Sequence, residues 1–139
     1  MTTNARNAHN LNQAQLFDKE APIFERPIPE DVRDRLQLIV EQSHLRPGHS
    51  VLDVGTGTGV LLPFILAQRP AQVSACDLSK EMLQRASQRF GDLVDFRQID
   101  VVDIPPQREK FDVVFCNACF ANMHDQVKTV RAIHHLLKP

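Results

Sequence analysis

No run of eighteen apolar residues occurs in the 139-residue sequence, so it offers no segment able to span a bilayer as a helix. An excess of either charge is missing too. Sixteen Lys and Arg stand against 17 Asp and Glu, for a formal net charge of -1 and an isoelectric point near 6.6, which excludes the basic stripe of a nucleic-acid binder. The expected partner is therefore a small molecule, with neither nucleic acid nor membrane. Cysteine is sparse, three residues without a disulfide-like framework, as in a protein of a reducing compartment, and a cytoplasmic location is expected. The pair in Cys116-Asn117-Ala118-Cys119 has no second C-x-x-C or paired histidine motif to complete a zinc site, and its first cysteine ends a strand instead of opening a helix, as a redox pair would. No metal is expected. The first seventeen residues contain no acid but also no apolar segment of the kind a secretory signal needs.

Glycine is scarce as well, five residues in all, yet three fall at alternate positions of one stretch, Val51-Leu52-Asp53-Val54-Gly55-Thr56-Gly57-Thr58-Gly59-Val60. Val51, Leu52 and Val54 suit a central parallel strand buried on both faces, and the glycines remove Cβ atoms where the backbone must bend and meet a ligand. An apolar run to Ala67 follows, so the unit reads strand, turn, helix, with the helix start facing an adenosine-bearing cofactor. A dinucleotide fingerprint, G-x-G-x-x-G, would need glycine where this chain has Val60.

Around that stretch the chain reads as one domain. Met1 to Gln15 are polar, rich in asparagine and without period, and are expected to be disordered or loosely docked. Leu16-Phe17-Asp18 and Ile23-Phe24 are sparse anchors among prolines. Val32, Leu36, Ile39 and Val40 give one apolar helical face after Pro29, Glu30 and Asp31, ending at the Pro47-Gly48 turn. A short helix over about 59–68 precedes a strand from Gln72 to Cys76. Ser79 then caps a helix to Phe90, with Leu83, Ala86 and Phe90 inward and Gly91 as its stop. Val94 to Asp100 alternates as an edge strand does, Phe111 to Asn117 is a fourth strand, and Val127, Val130, Ile133 and Leu137 mark the buried stripe of a last helix. His134 and His135, at that helix's end, read as surface cations favoured by the helix dipole.

The pattern D-x-G-x-G-x-G, followed eighteen residues after Gly59 by Asp77 at the end of the second strand, resembles the class I S-adenosylmethionine-dependent methyltransferases over about residues 30–139. That resemblance implies a Rossmann-like α/β fold, a parallel sheet with flanking helices, apparently truncated after the fourth strand and its helix, where the complete family has seven strands ordered 3-2-1-4-5-7-6. It implies S-adenosyl-L-methionine as cofactor. Asp53, Gly55, Gly57 and Gly59 would face its methionine end, Asp77 the ribose hydroxyls and Asp100 with the Val101 backbone the adenine; Thr56, Leu78 and Met82 would also bind the cofactor, and Asn117 is placed by position toward the transferring methyl group. Asp100 has a rival reading as a loop-capping carboxylate. The following residues, Ala118 and Phe120 to His124, are placed by position toward the methyl group, and His124 is the single histidine considered as a base. In related methyltransferases an N-terminal segment such as residues 1–29 folds over the cofactor; simple packing against the domain's side is the alternative. The implied activity is methyl transfer to a small acceptor, with a non-catalytic cofactor-binding or interaction module, pairing or self-associating through an exposed fourth strand, as the other reading.

Overall fold

The computed structural model describes residues 2–24, 27–117 and 122–139. Four parallel strands, β1 (Ser50–Val54), β2 (Gln72–Asp77), β3 (Asp95–Gln98) and β4 (Val113–Cys116), form one sheet in the order β3-β2-β1-β4. The order reverses beside β1, because β2 and β4 flank it on opposite sides; Asp53 pairs in register with Ala75 of β2 and Phe115 of β4. Ligands of open α/β sheets bind at such a switch point, off the carboxyl ends of the strands.

Alternation along β1 feeds two cores. Val51 packs with Leu36, Val40, Leu62, Ile65 and Phe115 beneath α2 (Glu30–Gln42), α3 (Leu62–Leu66) and α4 (Lys80–Phe90), while Leu52 and Val54 join Val101, Ile104, Phe111 and Leu136 on the side of α5 (Gln126–Leu136);. A strand covered on both faces must be apolar at nearly every position, as β1 is. Asp53, on the same face as Val51, is the exception.

Most element ends follow local chemistry. The Ser79 hydroxyl accepts from Met82 N–H at 3.1 Å and caps α4, and Gly91 ends it at a φ of 53°. Pro63 sits in the first turn of α3, where its missing N–H costs nothing, and the helix is shorter than the sequence implies because the glycine turn occupies the residues before it. Asp112 ties the starts of β1 and β4: its carboxylate accepts from Ser50 N–H at 2.8 Å and Lys138 Nζ at 3.1 Å, which holds its pKa down at about 2.

Three expectations are corrected. Residues 2–24 are one helix, α1, and not a loose arm. Its residues carry no apolar stripe, and its docking runs through polar contacts that composition does not announce: Arg6 Nη1 donates to Asp103 Oδ1 at 2.9 Å, Asn10 Nδ2 to Asp100 Oδ2 at 2.8 Å, and Asp18 Oδ1 accepts from Ser79 Oγ at 2.5 Å and Glu81 N–H at 3.2 Å. In α5 the inward face is Thr129, Ile133 and Leu136, whereas Val127 and Val130 are 62% and 53% exposed. Thr129 is buried because its hydroxyl donates to the Asp125 carbonyl at 2.9 Å, so a polar residue takes the place expected for a valine. In α2, Leu36 and Val40 are buried but Ile39 is exposed.

Beyond α5 the chain returns to the sheet. Phe111 N–H donates to Leu136 O at 2.7 Å and Lys138 N–H to Phe111 O at 2.9 Å, a parallel bridge between Phe111 and Leu137. Asp112 N–H turns the opposite way, to Ser50 O of the β1 side, so Leu137 lies on β4's outer edge, where the family's fifth strand runs.

Candidate functional site

The turn after β1 is held by β2. Gly55 and Thr56 N–H both donate to the Cys76 carbonyl, at 2.9 and 3.1 Å, and Gly57 N–H donates to Asp77 Oδ2 at 2.8 Å. Gly55, Gly57 and Gly59 adopt φ values of 69°, 58° and 89°, in the left-handed region that side chains disfavour. Asp77's other oxygen accepts from Ser79 N–H at 2.9 Å. One carboxylate thus joins the glycine turn to the start of α4 and keeps lone pairs for a ligand.

A cavity of about 180 Å³ opens over this turn. Of the residues the sequence singled out, Gly55, Thr56, Gly57, Asp77, Leu78, Met82, Asp100, Val101 and Asn117 line it. Asp53, Gly59 and His124 are not in the lining. Gly59 lies against a helix: a Cβ there would stand 2.6 Å from the Phe90 ring and 3.0 Å from Leu62. His124 is exposed, its ring centroid 5.4 Å from that of His9 on α1, and His9 Nε2 is 2.7 Å from the Asn122 carbonyl. Asn122 and Met123 line the cavity, while Ala118, Cys119 and Phe120 fall outside the described residues.

Sequence reasoning did not assign Gln13, Val54, Thr58, Val60, Cys76 or Ile99 to the lining. Cys76 and Ile99 were legible as the ends of β2 and of the third-strand segment, since the carboxyl ends of parallel strands face the site. Gln13 was not, because only the folded α1 brings it there. With Phe17, four residues on, it roofs the cavity.

The electrostatics are one-sided. Asp77 and Asp100 line the cavity, and no Lys, Arg or His does so among the described residues. Burial raises the Asp77 pKa; hydrogen bonds from Ser79 and Gly57 oppose the rise and the Asp18 charge adds to it. Asp53 is 2% exposed and its pKa is pushed up to about 7, by burial above all, with Thr56 tempering the rise and the Asp77 charge adding to it. Its Oδ2 makes no close, well-aligned hydrogen bond, and the Thr56 hydroxyl, buried beside the carboxylate, is the group that tempers its rise. Asp100 fulfils its capping role, accepting from Val102 N–H at 3.2 Å, and also receives Asn10. Burial drives the Cys76 thiol up to about 12, so it stays protonated. Among the described residues no group of His, Cys, Asp and Glu could hold a metal ion, and no helix is long and apolar enough to cross a membrane.

Where a dinucleotide fingerprint would place its third glycine this turn has Val60, which lines the cavity. The cavity fits a ligand that carries positive charge and ribose hydroxyls. The two lining carboxylates, Asp77 and Asp100, and the glycine positions match that chemistry, and fold and site together define a Rossmann-like domain of the S-adenosylmethionine-binding class.

Comparison with known proteins is consistent with this. The methyltransferase domain family matches residues 51–139, and the chain belongs to it, among the class I enzymes whose cofactor is S-adenosylmethionine. The chain is 36% identical over 109 residues to a ubiquinone biosynthesis O-methyltransferase of Pseudomonas paraeruginosa, covering 76% of this chain and 46% of that protein. It is 28% identical over 128 residues to malonyl-[acyl-carrier protein] O-methyltransferase 1 of Ilyobacter polytropus, covering 88% and 47%. The chain thus spans about half the length of the curated relatives it matches. Among solved structures, the [4+2]-cyclase SpnF superposes with a TM-score of 0.80 at 22% identity, over 94% of this chain and 57% of that one, a likeness of fold alone.

Proposed function

We propose that the chain binds S-adenosylmethionine in this cavity and takes part in transfer of the methyl group to a small-molecule acceptor. The observation that carries the reading is the cavity itself: glycines and two carboxylates at the ends of parallel strands, with no basic side chain among the described lining residues. Asp77 would accept from the two ribose hydroxyls, Asp100 and the Val101 backbone would meet the adenine, and the turn from Asp53 to Gly59 would hold the methionine end. Asn117, Asn122 and Met123 would face the acceptor, and α1 would cover the site through Gln13 and Phe17. The bound cofactor supplies a methyl group already activated on a sulfonium. What this chain's residues add is orientation and exclusion of water, which is the main demand of an in-line displacement. His124 lies outside the lining, so a base for a hydroxyl or carbon acceptor is not assigned to it. The lack of disulfide-like cysteine spacing supports a cytoplasmic location. Residues 30–139 would form the cofactor domain and residues 1–29 its cover.

Calorimetry with S-adenosylmethionine and with NAD tests the cofactor. S-adenosylmethionine should bind, and Asp77→Ala should weaken it roughly tenfold or more, since a hydrogen bond to a charged group is worth ~1.5 to 3 kcal/mol. Asp100→Ala should weaken it less, because Asp77 would serve two ribose hydroxyls and Asp100 a single amino group. Tight NAD binding with none for S-adenosylmethionine would overturn the assignment.

A second reading is a cofactor-binding module that performs no methyl transfer. It is favoured by one neighbour, which keeps the fold and is named as a cyclase, since a fold does not dictate the reaction grafted on it. A tritiated-methyl transfer assay against a cell extract separates the two.

A further inference from the structure

Asp18 follows Phe17 on α1, the helix whose Gln13 and Phe17 roof the cavity, yet it is not in the lining itself. Its carboxylate turns to α4 instead. Oδ1 accepts from the Ser79 hydroxyl at 2.5 Å and from Glu81 N–H at 3.2 Å, 61 and 63 positions along the chain. The first N–H groups of a helix have no partner within it, so an acid supplied there from another helix is a second cap, favoured by the positive end of the helix dipole. Ser79 is fully buried and each of its polar groups is engaged: the hydroxyl donates to Asp18 and accepts from Met82 N–H, the N–H donates to Asp77 Oδ1 at 2.9 Å, and the carbonyl accepts from Leu83 N–H at 3.1 Å. The other Asp77 oxygen holds Gly57. An unbroken path of hydrogen bonds thus runs from the roof helix through Ser79 to the carboxylate and the glycine turn that line the cavity. Arg6 and Asn10 fasten α1 on the far side of Gln13, so the two roofing residues lie between those anchors and Asp18.

We infer that Asp18 is a positioning residue for cofactor binding: by capping α4 from α1 it holds Gln13 and Phe17 over the cavity and slows escape of the bound cofactor. The inference rests on the cofactor reading above. The roof is the part of the lining that can open while the sheet stays folded, because α1 carries no apolar stripe and docks through polar contacts. A roof that is open part of the time lets ligand leave, and apparent affinity falls with the fraction of chains in which it is closed. Both bonds to Asp18 end on one carboxylate oxygen, so position 18 requires an acceptor at the start of α4 more than it requires a negative charge. A cap that served folding alone would stabilise α4 without changing how long the ligand stays.

Surface plasmon resonance on the immobilised full chain, with S-adenosylmethionine as analyte, reads the dissociation rate directly. Asp18→Ala should speed dissociation by about tenfold or more, the scale of a lost hydrogen bond to a charged group, without slowing association. Asp18→Asn keeps the Oδ1 acceptor and should stay within about threefold of the wild type. Phe17→Ala removes part of the roof, and adding Asp18→Ala to it should change the rate little further, because both act through one element. Wild-type dissociation in Asp18→Ala, or equal acceleration with and without Phe17, would overturn the inference and leave the cofactor reading intact. Should the alanine chain not fold, hydrogen exchange of the wild type decides: bound S-adenosylmethionine should slow exchange across residues 13–18, and unchanged exchange there overturns the inference as well. No binding of S-adenosylmethionine to the wild type would overturn the cofactor reading itself, and this inference with it.

Discussion

Single residues here carry opposing demands of folding and binding. Gly59 belongs to folding: its φ of 89° and the Phe90 ring 2.6 Å from a would-be Cβ leave no room for alanine. Gly59→Ala should lower stability by about 1 to 3 kcal/mol through overpacking and backbone strain, seen as a lower urea midpoint. Asp53 opposes folding. Its pKa rises from 3.8 to about 7 on folding, so between those values the folded chain holds a proton that the unfolded chain has lost, and stability falls as pH climbs through that window. Asp53→Asn removes this dependence and should raise the melting temperature of the ligand-free protein at pH 7.5, while leaving it nearly unchanged at pH 4. A lower melting temperature at pH 7.5 would mean that the carboxylate has a partner in the fold. The acid in this motif was plain in the sequence; that it is buried was not, because burial depends on how the turn closes over it.

At the scale of elements, α1 stands apart from the rest. The other helices present an apolar face to the sheet, whereas α1 is joined at one end to Asp100 and Asp103 and at the other to the start of α4, with Ala21 buried near its end. Leu11 and Leu16 face solvent. Exposed and half-buried polar contacts are worth little individually and are screened by salt, so α1 should open more readily than the sheet does. Hydrogen exchange should show residues 5–20 exchanging well before β1 and β2. Arg6→Ala combined with Asp18→Ala should remove protection from α1 and leave the strands protected. Equal protection of α1 and β1 in that variant would show that these contacts do not hold the helix. The failure to foresee α1 has the same origin: its docking depends on side chains 61 to 97 positions away, which no local pattern contains.

At the scale of the whole molecule, the cavity opens at the switch point of the parallel sheet. A ligand that binds the folded state alone stabilises it by mass action, so S-adenosylmethionine at a hundredfold excess over its dissociation constant should add about 2.7 kcal/mol and raise the melting temperature by several degrees. NAD should leave it unmoved. A thermal shift with both ligands at matched concentration checks this. The sequence alone determined the order of strands and helices from β1 onward, the caps at Ser79 and Gly91, and the motif around Gly55 and Asp77, because these follow from periodicity, backbone geometry and short-range hydrogen bonds. Only the tertiary structure decided which face of α5 turns inward, that Leu137 bridges to Phe111, that α1 roofs the cavity, and that Asp53 is buried. Each of these depends on contacts between residues far apart in the chain, where the free energy of burial, not local propensity, selects the arrangement.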